Sequence, residues 1–180
     1  MKKLGLLLLT LTLLLSLCGC SYQDPVLAAL PDYKTKVFYT SGGFQDFTDY
    51  AKYTYESVTA QDLKESKFFA ETTADDVGEI LLHIDNFEDW VETIGEELKD
   101  NYDFDKNIVS EGDFFYIETK DGEPIGQGTY GKFDNYSVYY FDIDTQTLYY
   151  FHNNILHCTP KMNLHPLTPK GGAFLSIEKM

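Results

Sequence analysis

The sequence predicts an α+β domain in which N-terminal helices pack on one face of an antiparallel sheet of three to five strands. Apolar residues recur with a helical period over about residues 43–100, which is typical of amphipathic helices. From about residue 113 to residue 178 the period changes to two, which is typical of strands. Because helices come first and strands follow, we expect an α+β arrangement rather than a parallel sheet of alternating units.

The helical pattern begins at Gly43, where Phe47, Ala51 and Tyr55 fall four residues apart and share one face of a helix. Thr59 followed by Asp62 predicts the N-cap of a short second helix that runs to about Phe69.

The strongest helical segment follows Thr73 and Asp76, which form a second cap pair. Its apolar stripe extends for about six turns, as far as Leu98. Asp85 and Glu88 form another cap-like pair in the middle, so the segment is compatible with one bent helix or with two.

Strands are predicted at 113–120, 136–143 and 148–154. The first ends at Asp121-Gly122, a strong hairpin-turn signal. The stretch 123–133 carries Pro124 and three glycines, which favours an edge strand or a loop, and 171–178 is a candidate final edge strand. This order of elements loosely resembles cystatin-like and NTF2-like folds, a resemblance that implies no residue roles.

The first twenty residues have the pattern of an export signal. Lys2 and Lys3 precede the apolar run Leu4–Leu17, which is shorter than the roughly 20 residues of a spanning helix and fits a secretory signal peptide. The sequence Leu17-Cys18-Gly19-Cys20 then resembles the lipobox of bacterial lipoproteins, in which an apolar residue and two small ones precede the lipidated cysteine.

The lipobox resemblance implies cleavage after Gly19, a palmitate-type lipid anchor on Cys20, and a domain on the extracytoplasmic side of a bacterial cell membrane. Lipidation of Cys18 instead fits less well, because Leu17 would then stand where a small residue is required. An ordinary signal peptide or an uncleaved anchor is the other alternative. We therefore divide the chain into a signal peptide (1–19), a tether (20–36) and a single α+β domain (37–180). The tether contains Pro25 and Pro31 and has no sustained period, although its segment 26–30, "VLAAL", is apolar enough to dock on the domain instead.

Composition excludes several classes of function. Loss of residues 1–19 from the 180-residue chain leaves 161 residues, enough for one domain, and loss of Lys2 and Lys3 takes the formal charge from −15 to −17. An acidic chain without arginine has the wrong sign for nucleic acid and lacks the guanidinium fork that grips anionic ligands. After lipidation of Cys20, Cys158 is the remaining cysteine, so no intramolecular disulfide is expected.

Aromatic rings are the candidate binding groups. The strand pattern places rings on both sides of the 136–143 and 148–154 strands, so either both faces are covered or one presents rings to solvent. Exposed rings stack on sugars and anchor protein partners. Tyr139, Phe141, Tyr149 and Phe151 are the residues proposed for such a surface, the alternative being that they pack in the core.

No cofactor, metal site or catalytic residue is predicted. The segment Asn101–Asn107 spaces its oxygen ligands like the start of a calcium loop, but Lys106 and Gly112 stand where glycine and glutamate are required. His152, His157, Cys158 and His165 match no zinc-ligand spacing. Motifs for nucleophilic or phosphate chemistry do not occur in the sequence.

These observations favour a lipid-anchored, non-catalytic binding or accessory module that meets a protein or glycan partner. The high negative charge suggests an alternative, an immunity or inhibitor-type lipoprotein that blocks a cationic toxin or enzyme. A small hydrolase is the third hypothesis.

Overall fold

The computed structural model describes residues 24–43, 46–94 and 96–156. The helices in these ranges are α1 (Pro25–Ala28), α2 (Ala60–Glu65), α3 (Ala74–Ile94) and α4 (Glu96–Asn101), with a 3-10 turn at Lys106–Ile108. The strands are β1 (Thr35–Gly42), β2 (Phe47–Thr54), β3 (Ala70–Glu71), β4 (Phe114–Thr119), β5 (Pro124–Ile125), β6 (Gly128–Thr129), β7 (Asn135–Asp142) and β8 (Thr147–Asn154).

Six of the described strands form one antiparallel sheet in the order β1-β2-β8-β7-β4-β3, and β5 and β6 form a separate hairpin. The predicted α+β class is confirmed, but the sheet has more strands than the three to five expected. Three strands, β1, β2 and β3, precede the long helix, so the expected order of helices followed by strands is wrong.

The helix predicted from Gly43 to Val58 is wrong, because the middle of that segment, Phe47–Thr54, is strand β2. Phe47, Ala51 and Tyr55 lie four residues apart, which suits a helix, but β2 is the second strand of the sheet and is covered on both faces. Tyr50 and Tyr53 are both buried although they point to opposite faces. A strand buried on both sides loses the alternation of polar and apolar residues that would have identified it.

Helix α3 confirms the strongest helical prediction. The Asp76 carboxylate accepts hydrogen bonds from the backbone N–H of Thr73 (2.9 Å) and from its hydroxyl (2.6 Å), which closes the first turn. The helix is continuous through Asp85, whose carboxylate binds the Lys106 ammonium at 2.7 Å instead of starting a new helix. The division into two helices comes later, after Ile94.

Helix α2 begins at the predicted cap but is shorter than expected. Thr59 and Asp62 form a reciprocal capping box. The helix ends at Glu65 rather than near Phe69, and Lys67 adopts a left-handed conformation with φ of 66°, which ends a right-handed helix.

Helices cover both faces of the sheet, which corrects the prediction that they pack on one. On the α3 face, α3 buries Ile80, Ile84 and Phe87 against the sheet. On the opposite α1 face, Val26 and Leu63 from the two short helices are buried in a second cluster. Strands with rings on both sides require such cover, because each exposed face would otherwise leave large apolar area in water.

The segment predicted as a tether is largely part of the domain. Asp24 caps α1 by accepting a hydrogen bond from the N–H of Val26 at 2.8 Å, and Val26 and Leu30 are 2% and 8% exposed. Residues 26–30, "VLAAL", therefore pack on the domain, as the alternative prediction proposed. Lys36, the last residue of the predicted tether, lies in strand β1. Cys20 and the predicted edge strand at 171–178 lie outside the described residues.

The turn at Asp121-Gly122 is confirmed. The N–H of Glu123 donates to the Lys120 carbonyl at 3.0 Å, and Gly122 has φ of 75°. The chain then forms the β5–β6 hairpin rather than an edge strand of the main sheet.

Among the described residues, no helix is long and apolar enough to cross a membrane.

Candidate functional site

A row of polar side chains crosses the α1 face at the same level of five neighbouring strands. The strand register pairs Glu118 with Ser137, Ser137 with His152, His152 with Asp49, and Asp49 with Thr40. Because paired residues in an antiparallel sheet point to the same side, these five form one continuous polar row. The next row along the strands contains Tyr116, Tyr139, Tyr150, Ala51 and Phe38.

Three residues of the polar row, Glu118, Ser137 and His152, line a cleft that we name the α1 cleft, with a volume of about 550 Å³. Short helix α1 covers only one end of this face, so the end near the polar row stays open. The cleft is lined by the start of α1 (Asp24, Pro25, Val26), by the loop residue Tyr130, and by strand residues Phe47, Glu118, Lys120, Asn135, Ser137, Tyr139, Tyr150, His152 and Asn154.

The protonation of His152 follows from its contacts. Its Nδ1 lies 2.9 Å from the Tyr136 carbonyl oxygen and 2.9 Å from the Ser137 hydroxyl. Because a carbonyl oxygen only accepts, Nδ1 carries the hydrogen and Nε2 carries the lone pair. Burial lowers the pKa of His152 below its usual value, against the raising effect of nearby Asp49, so the ring is neutral at neutral pH.

Ser137, His152 and Asp49 are the residue types of a catalytic triad, but they do not have its geometry. In a triad the serine donates its proton to an unprotonated ring nitrogen. Here the serine oxygen lies at Nδ1, the nitrogen whose hydrogen the Tyr136 carbonyl requires. The imidazole therefore holds Ser137 in position and does not remove its proton.

The acidic residues of the row differ in their environments. Asp49 is partly buried, and this burial raises the pKa of its carboxyl group, against a hydrogen bond from Thr40 that lowers it. Glu118 lies at the exposed end of β4. Lys120 is the one cationic residue lining the cleft, so the cleft offers no cluster of positive charge to an anion.

Rings and hydroxyl groups extend the cleft toward the apolar end of the sheet. The Tyr139 and Tyr150 ring centroids are 4.9 Å apart, and Tyr150 stacks on His152 at 6.2 Å with an interplanar angle of 11°. Phe47 lies 5.4 Å from His152 on the other side. At the far end, the Asn135 amide donates to the Asn154 side-chain oxygen. The cleft thus combines aromatic faces with neutral hydrogen-bonding groups.

The four aromatic residues proposed from the sequence do not form one surface. The β7–β8 register pairs Phe141 with Leu148 and Tyr139 with Tyr150, so Tyr139 and Phe141 point to the α1 face, whereas Tyr149 and Phe151 belong to the α3 face.

Burial also corrects the expected exposure of these rings. Tyr139, Phe141 and Phe151 are 4%, 0% and 0% exposed, and Tyr149 is partly buried. The alternative, that these rings pack in the core, holds for the first three. Tyr139 still lines the floor of the α1 cleft.

Sequence reasoning named neither Ser137 nor Asp49, and it considered His152 only as a zinc ligand. The turn between Asp142 and Thr147 could have revealed that Ser137 and His152 are neighbours. Asp142 pairs with Thr147, and counting back along both strands from that pair places Ser137 opposite His152.

The other sequence candidates have structural roles where they are described. Asp103 of the calcium-like segment accepts a hydrogen bond from Tyr50 at 3.0 Å and pairs with Lys52, and Asp105 caps the 3-10 turn. Within the described residues, no group of three or more His, Cys, Asp or Glu side chains is arranged to hold a metal ion. His157, Cys158 and His165 lie outside those residues.

No family model, curated protein or solved structure matches this chain. The function is therefore inferred from the chemistry of the α1 cleft and from the N-terminal sequence.

Proposed function

We propose that this protein is a non-catalytic binding module, held by a lipid on Cys20 at the extracytoplasmic side of a bacterial cell membrane, and that the α1 cleft binds a neutral polyhydroxylated ligand such as part of a glycan. The observation that supports it best is the juxtaposition, in one cleft, of tyrosine rings with the neutral hydrogen-bonding groups of Ser137 and His152.

Sugars suit this combination of groups. The apolar face of a pyranose ring packs on aromatic rings, and its hydroxyl groups exchange hydrogen bonds with amides, hydroxyls and carboxylates. Tyr130 lies at the cleft and is partly buried, and the amide groups of Asn135 and Asn154 lie at its end. A neutral imidazole with a lone pair on Nε2 adds an acceptor without adding charge.

The cleft also explains why a neutral ligand is favoured over an anion. One cation, Lys120, lines it beside two carboxylates, Asp24 and Glu118. The net negative charge of the cleft would repel a small anion, whereas it does not repel a neutral ligand.

Glycan binding is tested with the soluble chain 21–180, which lacks the anchor cysteine and keeps every described residue. Screening against a saccharide array identifies a ligand, and calorimetry measures its affinity. We expect Tyr130→Ala and Ser137→Ala each to weaken binding by about 3- to 10-fold, which corresponds to loss of one ring contact or hydrogen bond. Tyr33→Ala, a tyrosine exposed outside the cleft, is the matched control and should bind normally.

Two results would contradict the proposed ligand class. One is a chain that binds no saccharide at millimolar concentration. The other is binding to a basic protein that collapses between about 0.05 and 0.5 M NaCl, because a charge-driven contact would instead favour the inhibitor-type alternative.

The anchor is tested separately by replacing each cysteine of the lipobox-like motif. We expect Cys20→Ala to lose incorporation of labelled palmitate and retention in the membrane fraction. Cys18→Ala is the matched control, since it changes the neighbouring cysteine and leaves the attachment residue in place. Normal palmitate labelling of Cys20→Ala would show that the anchor assignment is wrong.

A further inference from the structure

Exposed apolar side chains concentrate at the free edge of the sheet. Among the described residues, the large hydrophobic side chains that are exposed are Tyr33 (44%), Val37 (37%), Phe38 (46%) and Leu82 (45%). The first three fall within six positions, on β1 and its lead-in, while Leu82 stands alone on α3. Edge strands in soluble proteins usually avoid such apolar exposure.

Two lysines lie among these rings, and we name the group Tyr33, Lys34, Lys36, Val37 and Phe38 the β1 patch. All five side chains are exposed. The Lys36 ammonium lies over the Phe38 ring, 5.0 Å from its centroid, a cation–π contact between two exposed side chains.

The β1 patch reverses the sign of the surrounding charge. Residues 33–43 contain two lysines and no carboxylate, whereas the mature chain carries a formal charge of −17. None of the ion pairs between described residues includes Lys34 or Lys36. An anionic surface would therefore repel most of the domain and attract this edge.

The β1 patch lies beside the start of α1. The Tyr33 ring packs on Tyr53 at 5.2 Å, and the Lys36 ammonium lies 5.4 Å from the same ring. Tyr53 in turn belongs to the same buried cluster as Val26 and Leu30 of the α1 segment.

The chain between Cys20 and the domain is short. Asp24 is fixed in the fold by its cap and by its hydrogen bond from Tyr139. The four residue steps from Cys20 to Asp24 span at most about 14 Å when fully extended. A lipid on Cys20 would thus hold the α1 end of the domain against the bilayer rather than above it.

We propose that the β1 patch contacts the anionic headgroups of the membrane in which Cys20 is anchored, an inference that rests on the lipid anchor of the proposed function. The tyrosine and phenylalanine rings enter the interfacial region, where aromatic residues are favoured, and the lysines pair with lipid phosphates. This orientation places the α1 cleft, whose rim includes Asp24 and Val26, close to the bilayer. Its ligand is therefore a saccharide displayed at the membrane surface.

Spin labels at two exposed positions, Val37 (37%) and Leu82 (45%), test the contact. Val37→Cys and Leu82→Cys are each made in the full-length, lipidated protein with Cys158→Ser, labelled with a nitroxide, and reconstituted in vesicles of phosphatidylglycerol and phosphatidylethanolamine. We expect the collision rate between the nitroxide at position 37 and a water-soluble nickel complex to fall at least about threefold relative to the unlipidated chain in solution. The reason is that a label in the membrane interface is partly shielded from water. Position 82, on helix α3 and outside the β1 patch, should not change.

Variants that change the charge and the apolar surface of the β1 patch test whether this patch protects position 37 from collisions. Combining Lys36→Glu with Phe38→Ser should restore collisions at position 37, whereas Lys99→Glu on α4 should not. Protection should also weaken in phosphatidylcholine vesicles, which lack net negative charge.

Three results would overturn the proposal. The first is a label at position 37 that stays as accessible in vesicles as in solution. The second is equal protection in anionic and neutral vesicles. The third is protection that appears without lipid and grows with protein concentration, which would assign this edge to a second copy of the chain. Flotation of the labelled protein with the vesicles reports the anchor independently, so failure of the contact and failure of the anchor are distinguishable.

Discussion

The Tyr139 hydroxyl donates a hydrogen bond of 2.7 Å to the carboxylate of Asp24, 115 positions earlier in the chain. Tyr139 is 4% exposed at the centre of the sheet, and Asp24 is the residue that caps α1. One contact therefore fixes the N-terminal segment to the middle of β7. It also sets the height of α1 above the sheet and hence one wall of the α1 cleft.

Removing this contact should destabilise the fold. We expect Tyr139→Phe to lower the free energy of unfolding by about 1.5–3 kcal/mol, the range for a hydrogen bond to a charged group. Asp24→Ala should cost more, because it also removes the cap. Urea unfolding measures both, with Tyr33→Phe as a control at an exposed tyrosine. A Tyr139→Phe variant as stable as wild type would mean that α1 is held by Val26 and Leu30 alone.

Asp113 is a buried carboxylate whose role is structural. It is 4% exposed and accepts hydrogen bonds from the Ser110 hydroxyl (2.8 Å), the Ile143 N–H (3.0 Å) and the Tyr140 hydroxyl. Asp113→Ala leaves the Ser110 hydroxyl and the Ile143 N–H without this acceptor, while the Tyr140 hydroxyl keeps the Ile108 carbonyl at 3.0 Å. We expect a loss of about 2–4 kcal/mol in unfolding free energy.

The matched control for Asp113 is Glu111→Ala, which removes an exposed carboxylate two residues away and should change stability by less than about 0.5 kcal/mol. Equal effects of the two variants, measured by urea unfolding, would contradict the structural role of Asp113.

Local signals predicted the elements that local contacts determine. The caps at Thr73 and Thr59 close within three residues, and the turn at Gly122 depends on one backbone conformation. A single sequence therefore carries enough information to find them.

The α1 cleft needed information that the sequence does not display locally. Ser137 meets His152 only through the register of two strands, and Asp49 joins them from β2, which sequence periodicity assigned to a helix. Helix α1 docks through the long-range contact with Tyr139. Strand register and helix docking depend on which faces of the sheet are covered. When both faces are buried, the strands lose the alternation of polar and apolar residues that would reveal their register.

The His152 environment predicts a pH dependence of stability. Burial holds the pKa of folded His152 below the value of about 6.5 in the unfolded chain, so the unfolded chain binds a proton more readily. His152 therefore contributes full stability above about pH 6.5, and this contribution is lost as the pH falls toward the folded pKa. The charged groups acting on the ring are Asp49, Glu118 and Lys120.

We expect the wild type to lose more unfolding free energy than His152→Phe when the pH is lowered from about 7.5 to 5.5. The other histidines are the same in both proteins, so the difference between the two isolates His152. Phenylalanine keeps a ring between Phe47 and Tyr150. Urea unfolding at several pH values gives the comparison. Parallel pH profiles would show that His152 is not shifted.

His83 is a buried histidine with an unused ring atom. Its Nδ1 lies 2.9 Å from the Glu79 carbonyl oxygen and so donates to it, which leaves the lone pair on Nε2. Nε2 is buried and has no hydrogen-bond partner among the described residues. The ring instead makes edge contacts with Phe133 at 5.2 Å and Tyr136 at 5.1 Å. Its role is therefore packing rather than ligand binding.

Because packing is its role, His83→Phe should change the free energy of unfolding by less than about 1 kcal/mol, since it keeps both ring contacts and removes the unpartnered nitrogen. His83→Ala should cost about 2–4 kcal/mol through the cavity that it leaves. Leu82→Ala, next to it but exposed, is the control and should have little effect. If His83→Phe proved as damaging as His83→Ala in urea unfolding, the imidazole would be making a polar contact that packing alone does not explain.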